Sequence, residues 1–446
     1  MCALDALVVT IALPRIEDDL QVGVASLQWT VNAYNIALAA GIIGAATLGD
    51  RFGRRRVFVL GLLAFAAASA ACALAPSAGL LIAARTIQGL GAAVLMPLSM
   101  TILTGAFPIE QRARVLGIYG GLAGLAVAGG PLIGGAITEG LDWHWIFWCN
   151  VPIGLVAAAL SLRFIPESFG PRAKLDLAGI TLITGAVIGL VWGLTRGNDV
   201  GWDSAETIGS LLAGALALAG FVAWEARAPA PMLPLRFWRN RAFAAGNATA
   251  FLAMGSVSAG AYFAPQYFQL ALGYEPLETG LRLLPFFVTP TLIAPFAGAF
   301  SQRAGLRPVI AAGLLFECAG FAWVALAGSS YTELVLALFV AGVGISMTLP
   351  TIPTAILGAV DPEETGMASG VANMTQRLGA VFGIAVGVAV FSAHGGLQSA
   401  AAVTGGFRPA IAVAGGGFAL IGALVAPLIS SSRDKEELWI ASNATS

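Results

Sequence analysis

This sequence has little charge and almost no histidine. Of its 446 residues only 11% are Asp, Glu, Lys or Arg, against roughly 25% in ordinary soluble domains. The formal net charge is −1, so no basic field is present to attract nucleic acid. The two histidines, His144 and His394, stand alone, and the four cysteines, Cys2, Cys72, Cys149 and Cys318, are scattered through apolar stretches. That pattern excludes a disulfide framework and metal-ligand spacings. No HExxH, GxxxxGK[ST] or GxSxG occurs, so zinc-protease, ATP-driven and serine-hydrolase chemistry lack their carriers. Neither an enzyme nor a cofactor-dependent protein is expected.

What is abundant is apolar, 58% of the chain. Val57 to Ala84 run for 28 residues without a charged side chain. A helix in water must keep one face polar, whereas about 20 apolar residues cross a ~30 Å hydrocarbon core. Similar runs recur, punctuated by charges and Gly/Pro clusters. They predict fourteen spans, near 1–15, 28–48, 57–75, 79–103, 115–137, 145–165, 176–195, 207–225, 243–265, 279–300, 308–327, 333–356, 367–391 and 409–430. The first is short for a crossing, and its missing part is expected upstream of Met1.

With fourteen spans both ends face one side. Loops on that side carry Arg51, Arg54, Arg55, Arg56, Arg112, Arg114, Arg172, Lys174, Arg303, Arg307, Arg433 and Lys435, among others. The opposite side carries only Arg15, Arg196, Arg282 and Arg408. The asymmetry predicts cytoplasmic termini. An R-x-G-x-R core follows span two, at Arg51 to Arg55, and recurs after span ten, at Arg303 to Arg307. Two six-span units are the parallel-repeat pattern of a large transporter class. The expected organisation is an all-α integral membrane protein. It has a six-helix bundle at 1–165, two inserted spans and a cytoplasmic linker at 166–241, a second bundle at 242–430 and a tail at 431–446.

Ionisable groups inside spans are functional candidates because they are costly in hydrocarbon. Four qualify: Asp5, Arg85, Glu317 and Arg377. An acid beside an arginine holds its charge, and one that gains apolar walls binds a proton, so single acids on separate spans suit proton coupling. A purely structural ion pair is the alternative for Asp5 with Arg85, and a polar cavity edge for Glu317. Span five carries glycines four apart, Gly117 with Gly121, Gly120 with Gly124, and Gly130 with Gly134, a spacing that lets helices approach closely. The aromatic stretch Trp143 to Trp148 reads as an interfacial belt.

These motifs resemble the major facilitator superfamily, in its fourteen-span drug:proton antiporter branch. Leu4 to Pro14 is similar to the first-span motif LDxTVVNVALP, with Leu7 for the usual Thr and Thr10 for the Asn. Gly49, Asp50, Arg51, Phe52, Gly53, Arg54 and Arg55 resemble the superfamily's loop signature. Arg85 to Ala93 resembles RxxQGxGAA. Gly129, Gly130, Pro131, Gly134 and Gly135 resemble the antiporter motif. Trp143 to Gly154 resembles WRWIFxINVPIG, with His144 for the usual Arg. The resemblance implies two six-helix bundles around a cavity that opens to each side in turn. It further implies Asp5 as the proton-linked acid with Arg85 as partner, and Asp50 with its arginines as a cytoplasmic latch.

The expected function is proton-coupled efflux of lipophilic drugs or antibiotics by a monomer in the cell membrane, with the proton gradient as energy source. Candidate cavity groups are Trp29, Asn32, Tyr34, Asn35, Tyr262, Gln266, Tyr267, Gln269 and Arg377, mostly aromatic and amide groups suited to apolar ligands. The alternative is proton-coupled transport of one defined metabolite. A membrane sensor would be expected to carry a sizeable soluble domain, which the spans leave no room for.

Overall fold

A computed structural model describes residues 1–170, 176–228, 231, 235–327, 330–361 and 364–429. The predicted 431–446 tail and the loop cations Arg172 and Lys174 lie outside these residues, as do the side chains of Arg112, Arg114, Gly117, Gly120 and Gly121. Among the described residues the structure is all helix. The first elements are α1 (Cys2–Leu20), α2 (Val24–Phe52), α3 (Arg54–Ala73), α4 (Ala78–Ala106), α5 (Ile109–Gly140), the short α6 (Trp145–Trp148) and α7 (Asn150–Phe164). Then come α8 (Leu177–Val200), α9 (Ala205–Glu225), the short α10 (Leu235–Trp238), α11 (Arg241–Gln266) with a π-helical extension Tyr267–Ala271, and α12 (Pro276–Arg282). The rest are α13 (Leu284–Ala304), α14 (Leu306–Leu326), α15 (Tyr331–Leu357), α16 (Thr365–His394), α17 (Ala400–Ala410), a π-helical stretch Ile411–Gly417, and α18 (Phe418–Val425).

Ten helices among the described residues are long and apolar enough to cross a membrane. They coincide with ten of the predicted spans. The other four predicted spans lie on α1, α2, α5 and α11. The predicted sixth span runs through α6 and α7, with Cys149 between them in the right-handed helical region at φ −56°, ψ −32°. Helix starts follow local chemistry. The Asp176 carboxylate accepts from Gly179 N at the head of α8, and the Ser204 hydroxyl from Thr207 N at the head of α9. Each satisfies an amide that helix geometry leaves unpaired.

The two R-x-G-x-R loops share a backbone device. Gly53 joins α2 to α3 at φ 106°, and Gly305 joins α13 to α14 at φ 90°. In both, one glycine in the left-handed half of the map reverses the chain between long helices, a conformation that a Cβ penalises.

The chain forms two compact units. One comprises Met1–Met232, Ala261–Leu284 and Ile384–Ala410; the other comprises Leu233–Gly260, Pro285–Gly383 and Ile411–Ser446. In the first, α2 packs on α4, α3 on α4 and α7, α1 on α5, and α8 pairs with α9. Its core at the α2–α3–α4–α7 junction includes Leu38, Leu62, Phe65, Ala92 and Leu95. In the second, α14 packs on α15 and on the π-helical stretch before α18.

Gly305→Ala is expected to destabilise by ~1–2 kcal/mol through backbone strain alone, because a Cβ there meets only Pro308 Cδ at 3.8 Å. Gly53→Ala should cost more, since its Cβ would also lie 2.8 Å from the Glu167 carboxyl. Gly79→Ala, where a Cβ meets nothing within 4 Å, should be neutral or better. Thermal unfolding of the three variants in detergent checks the order.

Candidate functional site: a buried ion pair and its amide clamp

Asp5, in the first turn of α1, and Arg85, in the middle of α4, meet inside the first unit. Arg85 Nη1 lies 2.6 Å from Asp5 Oδ2, and both side chains are 1% exposed. A buried pair survives only when its remaining lone pairs and protons are also largely satisfied, and here most have partners. Asp5 Oδ1 accepts from Gln88 Nε2 at 3.0 Å and from Asn150 Nδ2 at 2.8 Å. Both amides also reach Ser69 Oγ, at 2.8 and 3.1 Å. Arg85 Nη1 donates to Gln88 Oε1 at 2.6 Å, and its Nε donates to the Thr30 carbonyl at 3.1 Å. The guanidinium lies 4.3 Å from the Tyr34 ring centroid and 5.8 Å from that of Phe147.

Five helices therefore converge on one carboxylate and its partner. Gln88 sits one turn after Arg85 on α4, so the two side chains share a face. Asn150 is the first residue of α7, and its side chain is buried. The pair is enclosed by Ser69, Gln88 and Asn150 on one side and by Tyr34 and Phe147 on the other. Gln88, Ser69 and Asn150 were missed as site residues. Gln88 and Asn150 stand inside the quoted motifs, and a polar amide in an apolar span was the signal that could have marked them.

The aromatic stretch is only partly an interfacial belt. Trp143 and Phe147 are buried, and Trp143 Nε1 donates to Asp19. Phe147 packs under the guanidinium and Trp143 packs edge-on against Phe147, while Trp145 stays half-exposed. His144 stacks on Trp143 with centroids 3.8 Å apart. Burial works to raise the Asp142 carboxyl, but hydrogen bonds from the His144 backbone and ring hold it below its ordinary range.

Asp50, which the resemblance assigns to a cytoplasmic latch, is occupied within its own turn. Arg54 reaches Asp50 Oδ1 through Nε and Nη2, both at 2.8 Å. The carboxylate that meets a helix start here is Glu167, which accepts from the amides of Arg55 at 2.9 Å and Arg56 at 3.3 Å. It satisfies unpaired donors and complements the dipole of α3. The Arg55 guanidinium donates to the Ile165 carbonyl, and Gly170 N to the Asp50 carbonyl. Arg51 is exposed beside Phe52. Gly49 packs against Leu98 and Gly53 forms the turn.

The glycines of α5 are an interface on two sides. A Cβ at Gly130 would lie 2.9 Å from Leu7 Cβ, and one at Gly134 3.0 Å from Val8 Cα, both on α1. A Cβ at Gly135 would lie 2.5 Å from the Pro276 carbonyl oxygen on α12, which also crosses close to Pro131. Gly129 has room to spare.

The candidate cavity residues do not gather in one place. Trp29 tilts against Trp192, and Tyr34 serves the ion pair. Asn32 is fully buried with neither amide atom hydrogen-bonded. Asn35 and Gln266 bond back to their own helices, at Val31 and Tyr262. Tyr262 is fully buried, Tyr267 stacks on Phe407 at 4.1 Å, and Gln269 donates to the Ile11 carbonyl. Arg377, half-buried on α16, belongs to the second unit. So does Glu317, fully buried on α14, where the Thr348 hydroxyl donates to its Oε1 at 2.7 Å. Thr348 also lines a cavity of about 220 Å³, walled by Met254, Val257, Ile345, Leu349 and Ile352 and edged by Gln376.

The family follows from comparison with known proteins. The model of the Major Facilitator Superfamily matches residues 1–281 and 246–442. The chain belongs to this superfamily. It is 36% identical over 389 residues to the "Multidrug resistance protein Stp" of Mycobacterium tuberculosis, covering 86% of this chain and 72% of that one. It is 35% identical over 393 residues to the "Tetracenomycin C resistance and export protein" of Streptomyces glaucescens, again covering 86% and 72%. A crystal structure of a bacterial homolog to the human lysosomal transporter Spinster, inward-facing and unoccupied, superposes with TM-score 0.68 at 17% identity over 96% of this chain and 94% of that one. The protein is thus a multi-span membrane transporter of this superfamily and not an enzyme.

Removing one partner, in Asp5→Leu, leaves a guanidinium buried and uncompensated and is expected to cost about 3–5 kcal/mol. Adding Arg85→Met should restore most of that loss. Thermal unfolding of the single and double variants checks this. A double variant no more stable than the single one would mean that ring packing, not charge, sets the cost.

Proposed function

We propose that this protein exports lipophilic drugs or antibiotics in exchange for protons, as a fourteen-span member of the drug:proton antiporter branch. The observation that carries the reading is the buried Asp5–Arg85 pair, in a chain whose relatives are named for multidrug resistance and antibiotic export. An acid paired with an arginine holds its charge, and the same acid with the arginine withdrawn takes up a proton. In this mechanism Asp5 alternates between those surroundings as the protein opens to each side in turn. Gln88 and Asn150 set the distance at which the carboxylate is held.

The remaining motifs take supporting roles. The α5 glycines let α1 and α12 approach closely, sealing one end of the transport path. Asp50 and the arginines of the α2–α3 turn form the cytoplasmic latch, and the excess of basic loops on that side supports cytoplasmic termini. Residues 1–165 and 242–430 act as the two bundles, with 166–241 inserted between them, in a monomer. The cavity lined by Thr348 offers apolar walls and few polar groups, which suits lipophilic substrates.

Two measurements test the reading. Expression in an efflux-deficient cell should lower its susceptibility to lipophilic antibiotics. In inverted vesicles, Asp5→Asn should keep substrate binding and lose export driven by a proton gradient. Undiminished export by Asp5→Asn would remove Asp5 from the mechanism and move the proton site to Glu317.

A further inference from the structure

At the end of the first unit away from the Gly49–Arg56 turn lies a cavity of about 510 Å³. That volume is in the range that accepts a drug-sized molecule. Its polar lining is Glu17 from the end of α1, Thr195 from α8, Ser392 from α16, and Gln398 with the backbone of Gly395 and Gly396 from the segment after α16. Glu17 lies beyond Arg15, outside the predicted first span. Its Oε2 is buried and has no hydrogen-bond partner. Thr195 Oγ1 donates to Gln28 Oε1 at 3.0 Å, and Gln28, fully buried behind it, has its own Nε2 unpartnered. A buried acceptor without a donor costs about 1–3 kcal/mol, more when charged, so Glu17 Oε2 is an acceptor open to a donor from the cavity.

We propose that this cavity is a binding site for an organic molecule bearing a protonated amine, whose N–H donates to Glu17 Oε2 while its apolar part fills the cavity. The lining supplies one carboxylate and otherwise hydroxyl, amide and backbone groups, which admits a single positive charge and no anion. Burial, and then the Asp18 charge, push the Glu17 carboxyl up from 4.5 to about 7. Proton and amine therefore compete for one oxygen near neutral pH. In the empty protein a raised carboxyl stabilises the fold fully below pH 4.5, and the contribution is lost as pH rises through about 7.

Neighbouring charges are already engaged or of the same sign. Asp18 adjoins Glu17, and Asp19 accepts from Trp143. Arg15 pairs with Glu275, Glu139 accepts from Leu277 N, and Asp142 pairs with His144. Arg196 pairs with Glu206, and the His394 ring bonds the Val390 carbonyl. The inference takes from the efflux reading only its sense that this end faces outward.

The test is equilibrium binding to the full chain in nanodiscs without a gradient. The probes are a fluorescent lipophilic tertiary amine that stays protonated up to pH 8 and its uncharged amide analogue. Amine affinity should rise about tenfold between pH 6 and 8 as Glu17 ionises, while amide affinity stays flat. Glu17→Gln should abolish the pH dependence and weaken amine binding about tenfold at pH 8. Gln398→Trp, which fills the cavity and keeps Glu17, should abolish it with an unchanged melting temperature. Asp5→Asn should bind the amine as the parent does, so a failed efflux assay leaves this result standing. Persistence of pH-dependent amine binding in Glu17→Gln, or parental affinity in Gln398→Trp, would overturn the proposal.

Discussion

A carboxylate and a guanidinium 2.6 Å apart, each 1% exposed, fix more of this structure than any other contact. Neither ion is tolerable alone in an apolar interior, so α1 and α4 are bound to one another across the unit. The pair also dictates what surrounds it. Its spare donors and acceptors require a carbonyl from α2, a hydroxyl from α3 and amides from α4 and α7. Five helices thus share one polar node. Small residues along α4, Gly89 against Tyr34 and Gly91 against Phe65, permit that approach.

The node is nearly saturated, and saturation has consequences for motion. In a low-dielectric interior each hydrogen bond is stronger, and each unmade one more costly. Asp5 cannot leave Arg85 unless something replaces the guanidinium, and a proton is the smallest replacement available. Gln88 is held from both sides, accepting from Arg85 and donating to Asp5. Asn150 carries no such double tether to the pair: of the two ions it touches only Asp5. On this account its amide is the part of the clamp that yields first.

Much of the fold was legible in the sequence because the bilayer imposes a coarse rule: apolar runs separated by charges. That rule placed ten helices suited to crossing a membrane, and the paired R-x-G-x-R loops pointed to Gly53 and Gly305. Asp5 and Arg85 stood out because ionisable groups are rare in such runs. The amides were harder to see, since Gln88 and Asn150 carry no charge and their spans read as apolar without them. The inward placement of Phe147 was also hidden, because its burial follows from packing under the Arg85 guanidinium. Trp143 misled for a related reason. Composition assigns tryptophans at a span end to the interface, but this one packs edge-on against the buried Phe147 ring and donates to Asp19. Asp50 reads in sequence as a free latch acid, yet Arg54, four residues on, holds it first.

The central claim is that substrate and proton exchange at Asp5. It is tested most directly by counting protons released when an uncharged lipophilic substrate binds to purified protein in weakly buffered detergent, with a pH-indicator dye, at a pH where substrate-free Asp5 has been protonated. The account predicts release of a proton as the substrate restores the Asp5–Arg85 pair, and no release from Asp5→Asn at equal occupancy. Equal release from both proteins would contradict it.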